Sequence, residues 1–349
     1  MAQNRSLLAA LTGDAEIEAL LADPAQIAAM LRFERALAEA QAEVGMISPE
    51  AAAAIAVGLD GFEPDWDDLA LGMVRDGVMI PALLAQIRCV IVPPHATALH
   101  RGATSQDAID TALVLQLSAV IPILNDRLSL LLDALEALAD RHGQQELMAH
   151  TRMQLALPYS WGAKIATWTA PLRRHQAALQ AVRATLLVIQ LGGPIGDRSS
   201  FGGHGQAVAR VLARQLDLGL AEPWQTARDP LIGFASLLTL LTGTLGKIGA
   251  DMALLAQNEI GALTLTGGGT SSAMAHKSNP INAEVLVALA RYNAGLVGTL
   301  QQSMVHENER SGAAWTLEWL ALPPIVVTAG ASLRLCQALV QQVNIAPTP

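Results

Sequence analysis

The sequence predicts an all-α protein built as a bundle of long helices. Two observations carry that expectation. Apolar residues fill 52% of the 349 positions, chiefly Ala and Leu, while aromatic residues fill 3%, with two Tyr and four Phe. Ala and Leu are good helix formers, and the aromatic residues that favour strands are scarce. Apolar residues also recur at helical spacing along five long segments, with no alternating strand pattern and no internal repeat.

Taken in order, Asp23 followed by Pro24 opens the first clear helix, as an N-cap with proline at the first helical position. Ile27, Leu31, Leu37 and Val44 keep one face apolar, and Gly45 closes the segment. From Ser48 to Pro94 the elements are short and broken by Gly and Pro, so residues 1–103 read as a small N-terminal helical domain. Residues 104–349 read as a central long-helix bundle domain. In its first helix, Asp107 to His142, the apolar positions are Ile109, Leu113, Leu117, Leu124, Leu128, Leu131, Leu135 and Leu138. Pro122 would kink it and Gly143 would stop it. Its length would be roughly 50 Å at 1.5 Å per residue. Four more periodic segments run from about Pro158 to Leu191, Leu231 to Gly261, Pro280 to Glu307 and Thr316 to Val343. Kinks are expected at Pro171 and at Pro323-Pro324.

Composition also excludes several functions. The net charge is −9 and no basic run is present, which argues against a nucleic-acid partner. Cys89 and Cys336 have no ligand spacing, so neither a disulfide framework nor a metal site is expected, and both read as packed, reduced thiols. The Leu7–Leu11 run is too short for a signal-peptide core. The uncharged run from Pro230 to Gly246 falls short of the ~20 residues of a membrane span. It reads as a buried helix, and the protein as a cytoplasmic one that does not bind membranes.

The stretch with the most chemistry is Gly267 to Pro280. Gly267, Gly268 and Gly269 leave the backbone able to close on a ligand, and Ser271, Ser272, Lys277 and Asn279 follow. A serine hydroxyl is a poor base in water. Beside a cation and a helix N-terminus, in a closed loop that excludes water, its alkoxide becomes more accessible. Lys277 and Asn279 would hold an anion next to it. Without the residues that follow, Gly-Gly-Gly-Thr-Ser-Ser would equally suit a plain connector.

Ser271-Ser272-x-Met274-x-x-Lys277-x-Asn279, followed by Glu284, resembles the signature loop of the fumarase/aspartase superfamily, GSSxMPxKxN. That resemblance implies Ser271 as catalytic base beside Lys277, with Ser272, Lys277 and Asn279 around a substrate carboxylate. Thr270 and Ala275 stand where glycine and proline are usual.

Five further stretches agree. His100-Arg101-Gly102-Ala103-Thr104-Ser105-Gln106-Asp107 is by itself a good helix cap whose N-terminus favours an anion. It also resembles the superfamily's HxGxTSxD segment, which implies substrate binding by His100, Thr104 and Ser105. Thr151-Arg152-Met153-Gln154-x-Ala156-x-Pro158 resembles THxQxAxP and implies binding by Thr151, Arg152 and Gln154. Arg152 replaces a histidine that transfers protons in fumarate-releasing members, and arginine cannot do so near neutral pH. His150 is expected to point to a different face. Glu34-Arg35-Ala36-Leu37-Ala38 resembles the superfamily's first helix.

Finally, Glu309-Arg310 to Trp319 is similar to the ERxxGxWxxEW stretch of bacterial 3-carboxy-cis,cis-muconate cycloisomerases, members that commonly lack the THxQ histidine, and Leu191 to Gly196 matches their GGxxG turn. Trp315 and Trp319 would equally serve as a core pair at i, i+4.

The resemblance spans about residues 20–340 and implies a helical fold whose usual C-terminal domain is short or missing. It implies a cofactor-free cycloisomerase acting on a small tricarboxylate in protocatechuate breakdown, the β-ketoadipate route, with Arg310 among the carboxylate ligands. It also implies a homotetramer with active sites shared between chains. The alternatives are a lyase releasing fumarate, of the adenylosuccinate or argininosuccinate type, and a superfamily member that has lost catalysis and serves a binding role.

Overall fold

The computed structural model describes residues 6–270, 274 and 278–345. The chain opens with α1 (Leu7–Thr12) and α2 (Ala15–Leu21), whose first N–H groups are taken by the side chains of Ser6 and Asp14. In α3 (Asp23–Glu43) the N-cap is Ala22 rather than Asp23, and Pro24 is the second helical residue. Asp23 thus lies in the first turn, where its charge still suits the helix dipole. Between 48 and 94 come three short helices, α4 (Pro49–Leu59), α5 (Trp66–Asp76) and α6 (Ile80–Val90).

The long helix α7 (Ser105–His142) has 38 residues, with Pro122 in its interior. It is about 57 Å long at 1.5 Å per residue. Where a helix was expected from Pro158, the chain forms a hairpin of β1 (Glu146–Thr151) and β2 (Gln154–Ser160). Most of its side chains are exposed or half-buried, so no apolar alternation marks it in the sequence. Helix α8 (Trp161–Ala181) starts only after it, capped by Ser160, and the short α9 (Arg183–Leu186) and then α10 (Gly205–Leu216) follow.

The rest of the bundle is α11 (Asp229–Leu255), α12 (Ile281–Gln301) and α13 (Gly312–Gln341), the last with Pro323 and Pro324 inside it. The segment between α11 and α12 carries β3 (Leu263–Leu265), β4 (Gly269–Thr270) and β5 (Ser278–Asn279). β4 pairs with β5, and β3 pairs antiparallel with β6 (Val343–Ile345) after α13. The fold is all-α in its main body, as expected, with three small two-stranded ladders among the described residues.

Helix α11 packs along α12 and α13, and α7 packs against α8, α13 and α3. Two apolar cores result. One gathers Leu117, Leu124, Leu131, Leu238, Leu245, Leu286 and Ile325 of the bundle. The other joins Phe33, Leu37 and Leu83 to Ile109 of α7 and Leu212 of α10. Helix α7 contributes to both.

Helices α7, α11 and α13 are each long and apolar enough, by length and composition, to cross a membrane. The 17-residue run read from the sequence is therefore part of a longer apolar helix. Within this chain 72% of the apolar window of α7 is buried but only 56% of that of α11, and Leu240, Leu254 and Leu320 remain exposed. Cys336 is buried, which pushes its thiol up to about 12, whereas Cys89 is exposed rather than packed.

Candidate active site

The start of α7 gathers several of the expected residues. Thr104 is the N-cap, and its N–H donates to the Asp107 carboxylate at 3.0 Å. Asp107 is fully buried and also accepts from Gly192 N at 2.7 Å, Gly193 N at 2.9 Å and Gln190 Nε2 at 3.2 Å. Burial pushes its pKa up against these donors. The turn after α9 is thus docked on the first turn of α7. Gly193 has φ +72°, and a Cβ there would sit 2.4 Å from Ser200 Oγ, so the close approach requires glycine.

His100, just ahead, places Nδ1 2.6 Å from Glu34 Oε1 of α3. Burial lowers the His100 pKa, and the facing Glu34 carboxylate more than reverses this, so the net shift is upward. Two stretches noted separately in the sequence therefore meet as one contact.

Arg310 is held at the same end. Its Nε donates to Gln106 Oε1 at 2.8 Å and its Nη2 to the Pro194 carbonyl at 3.3 Å, which ties the guanidinium to the first turn of α7. Beneath it is a buried ion network. Arg228 is fully buried and donates to Asp110 at 2.6 and 3.1 Å and to Glu318 at 2.8 and 2.5 Å. Trp315 Nε1 donates to Asp110 at 3.1 Å, and the Trp224 ring lies 4.7 Å from the guanidinium. Burial works against the Arg228 charge, but Asp110 and Glu318 prevail and raise its pKa. The His306 ring, 3.6 Å from Glu318, is held below its ordinary value by burial and by Arg228. Trp315 and Trp319 form a tilted pair with centroids 4.7 Å apart. The ERxxGxWxxEW stretch is therefore largely a packing and charge-burying device, from which Arg310 emerges.

The other expected residues lie beyond the far end of α7. Arg152 and Met153 form the two-residue turn of the hairpin, at φ +49° and +64°, with Thr151 paired to Gln154. Positive φ at both central residues matches the twist of a tight hairpin. Thr151, Arg152 and Gln154 are all exposed, and Gln154 donates only to the Met153 carbonyl. His150, in β1, and Arg152, in the turn, both border one cavity. It has a volume of about 780 Å³ and lies between the hairpin, α8 and α11. Gln257 borders this cavity and a second one, of about 620 Å³, lined by Met274, Ser278, Asn279 and Glu284. Asn279 is thus at the far end, while Ser271, Ser272 and Lys277 lie outside the described residues.

A lyase family matches this sequence over residues 11–294. The chain belongs to this lyase family. This lyase-family chain is 37% identical over 333 residues to the 3-carboxy-cis,cis-muconate cycloisomerase of Pseudomonas putida, covering 93% of itself and 79% of that relative. It superposes on the crystal structure of the 3-carboxy-cis,cis-muconate lactonizing enzyme from Pseudomonas putida with a TM-score of 0.92 and 37% identity, covering 98% of this chain and 78% of that one. The crystal structure of fumarate lyase from Mesorhizobium sp. BNC1 gives 0.90 at 30% identity, with 99% and 78% covered. The likeness to the fumarase/aspartase superfamily and its muconate cycloisomerases, read from the motifs, holds over nearly the whole chain.

One copy of the lyase-family fold thus brings His100, Thr104, Ser105 and Arg310 together and holds Thr151, Arg152, Gln154 and Asn279 at the opposite end. Arg228 and Asp110 were missed as supports of the site. The available signal was an acid, Asp110, next to the apolar run of α7, since such a charge needs a buried partner.

Proposed function

We propose that the chain is a 3-carboxy-cis,cis-muconate cycloisomerase. The reading rests chiefly on the 37% identity to that cycloisomerase over 93% of the chain. One substrate carboxylate oxygen adds to a conjugated carbon–carbon double bond, closing a lactone, and the neighbouring carbon gains a proton. Read backwards, a carboxylate leaves from the carbon next to an acidic C–H, which is the task of a β-elimination scaffold. Negative charge builds on a carboxylate in the transition state, so fixed cations and helix N-terminal N–H groups stabilise it. Ser271 handles the proton beside Lys277. Thr104, Ser105 and Arg310 hold one carboxylate at the α7 N-terminus, with His100 against them, while Thr151, Arg152, Gln154, Ser272 and Asn279 hold the others. Arg152 in the histidine position separates this reading from a lyase releasing fumarate.

The same reading places the enzyme in the cytoplasm as a homotetramer. Its support is the separation of the two residue groups along α7 and the exposed apolar side chains of α11 and α13. Antiparallel packing of identical long helices sets the start of one beside the end of another. On this reading residues 1–103 are the smaller helical domain and 104–349 the bundle, with the second apolar core crossing that boundary through Ile109, Phe201 and Leu212.

The test is turnover of 3-carboxy-cis,cis-muconate, followed as loss of diene absorbance. Ser271→Ala should lower kcat by about 10²–10⁴ with KM nearly unchanged, the range for a lost acid–base group. A loss below tenfold would remove Ser271 from that role, and release of fumarate from a succinyl substrate would favour the lyase reading.

A further inference from the structure

Lysine is rare in this chain. Lys164, Lys247 and Lys277 are its three lysines, among 22 lysines and arginines together. Two of them converge on a single carboxylate. Lys164 Nζ lies 2.9 Å from Asp251 Oδ2, and Lys247 Nζ contacts the same oxygen. Trp168 Nε1 also donates to it, at 2.7 Å. Burial pushes the Asp251 pKa up, but these donors prevail and hold it below the usual carboxylate value. One carboxylate offsets one ammonium group, and the second stays uncompensated.

This cluster forms part of the wall of the cavity of about 780 Å³. Arg152 lines the same cavity from the hairpin turn and makes no hydrogen bond or ion pair among the described residues. The lining therefore sets three cations against one carboxylate, in a chain whose net charge is −9. Two ammonium groups on one oxygen repel each other, and an anion placed among them relieves that repulsion. Much of the remaining wall is apolar, with Leu147, Met153, Leu254, Leu255 and Ile260. Such a wall suits an anion carried on a carbon skeleton better than a bare inorganic ion.

We propose that this cavity is an anion subsite in which Lys164, Lys247 and Arg152 bind a carboxylate of a small polycarboxylate. That carboxylate belongs either to the substrate, which rests on the function proposed above, or to a separate polycarboxylate that regulates the enzyme.

Calorimetric titration of the full chain with propane-1,2,3-tricarboxylate and with inorganic phosphate tests this. The proteins are the wild type, Lys247→Gln and Arg152→Met. Lys247 is half exposed and Arg152 has no partner among the described residues, so both variants keep the Lys164–Asp251 pair, and circular dichroism checks the fold. The tricarboxylate should bind the wild type at least tenfold tighter than phosphate. Each variant should weaken it by about tenfold, as for one lost charge-assisted contact. No tricarboxylate binding, no preference over phosphate, or equal affinity in all three proteins would overturn the subsite. Inhibition that raises KM for 3-carboxymuconate alone assigns the subsite to the substrate's carboxylate, and a change in kcat assigns it to a regulator. A chain that leaves 3-carboxymuconate unchanged yet shows these affinity losses would remove the proposed function and keep the subsite. Turnover with unaltered affinity in both variants would do the reverse.

Discussion

The two ends of α7 are built on opposite plans. At its start, Asp107 and Asp110 are surrounded by donors from the same chain, and the charge of Arg228 is consumed by Asp110 and Glu318. Beyond its finish, Thr151, Arg152 and Gln154 are exposed on a hairpin, with Arg152 bordering a cavity and one local side-chain hydrogen bond, from Gln154, among the described residues. A buried polar group without a partner costs several kcal/mol, whereas an exposed one is satisfied by water. The saturated end therefore positions Arg310 and the α7 N-terminus, and the open end keeps its side chains available for a ligand. Neither end alone gathers all the residues proposed for the site.

If the two halves are completed by other copies, mixing inactive chains should restore activity. Ser105→Ala and Gln154→Ala should each cost at least tenfold in kcat/KM, and co-refolding the two should recover sites that hold both native residues. Random assembly would return about a quarter of the sites when the two residues come from different chains. Mixtures that stay as inactive as the single variants, or an active monomer in sedimentation, would show that one chain closes its own site.

The next largest effect separates the ends by stability. Arg228→Met leaves Asp110 and Glu318 facing each other in the core and should cost about 3–5 kcal/mol in urea unfolding. Arg152→Met should change stability by less than about 0.5 kcal/mol, as for an exposed side chain without partners. Equal losses would mean that the hairpin turn is as structural as the network beneath Arg310.

The smallest effect concerns pH. The folded His100 has a raised pKa, with burial opposing and Glu34 prevailing, so protonated His100 stabilises the fold. That stability is fully present below the ordinary histidine value, about 6.5. It is lost as pH rises through the higher folded value. Urea midpoints measured upward from about pH 6.5 should therefore fall in the native protein and flatten in Glu34→Gln. An unchanged slope in the variant would detach His100 from Glu34.

Much of the fold was legible because helices are local. Apolar residues three and four apart placed the starts of α7, α11, α12 and α13 to within four residues and their ends to within six. The hairpin at 146–160 escaped because neither of its faces is buried throughout, so no period of two is written into it.

By itself the sequence determined the helical class, the order of the motifs and the family they resemble, since each is a property of contiguous residues. Only the tertiary structure decided which motifs share an end of the bundle. Arg228 reaches Asp110 across 118 positions and Glu318 across 90, and His100 reaches Glu34 across 66. Contacts at such separations depend on how helices pack, and a charged side chain carries no local mark of the partner that burial will give it.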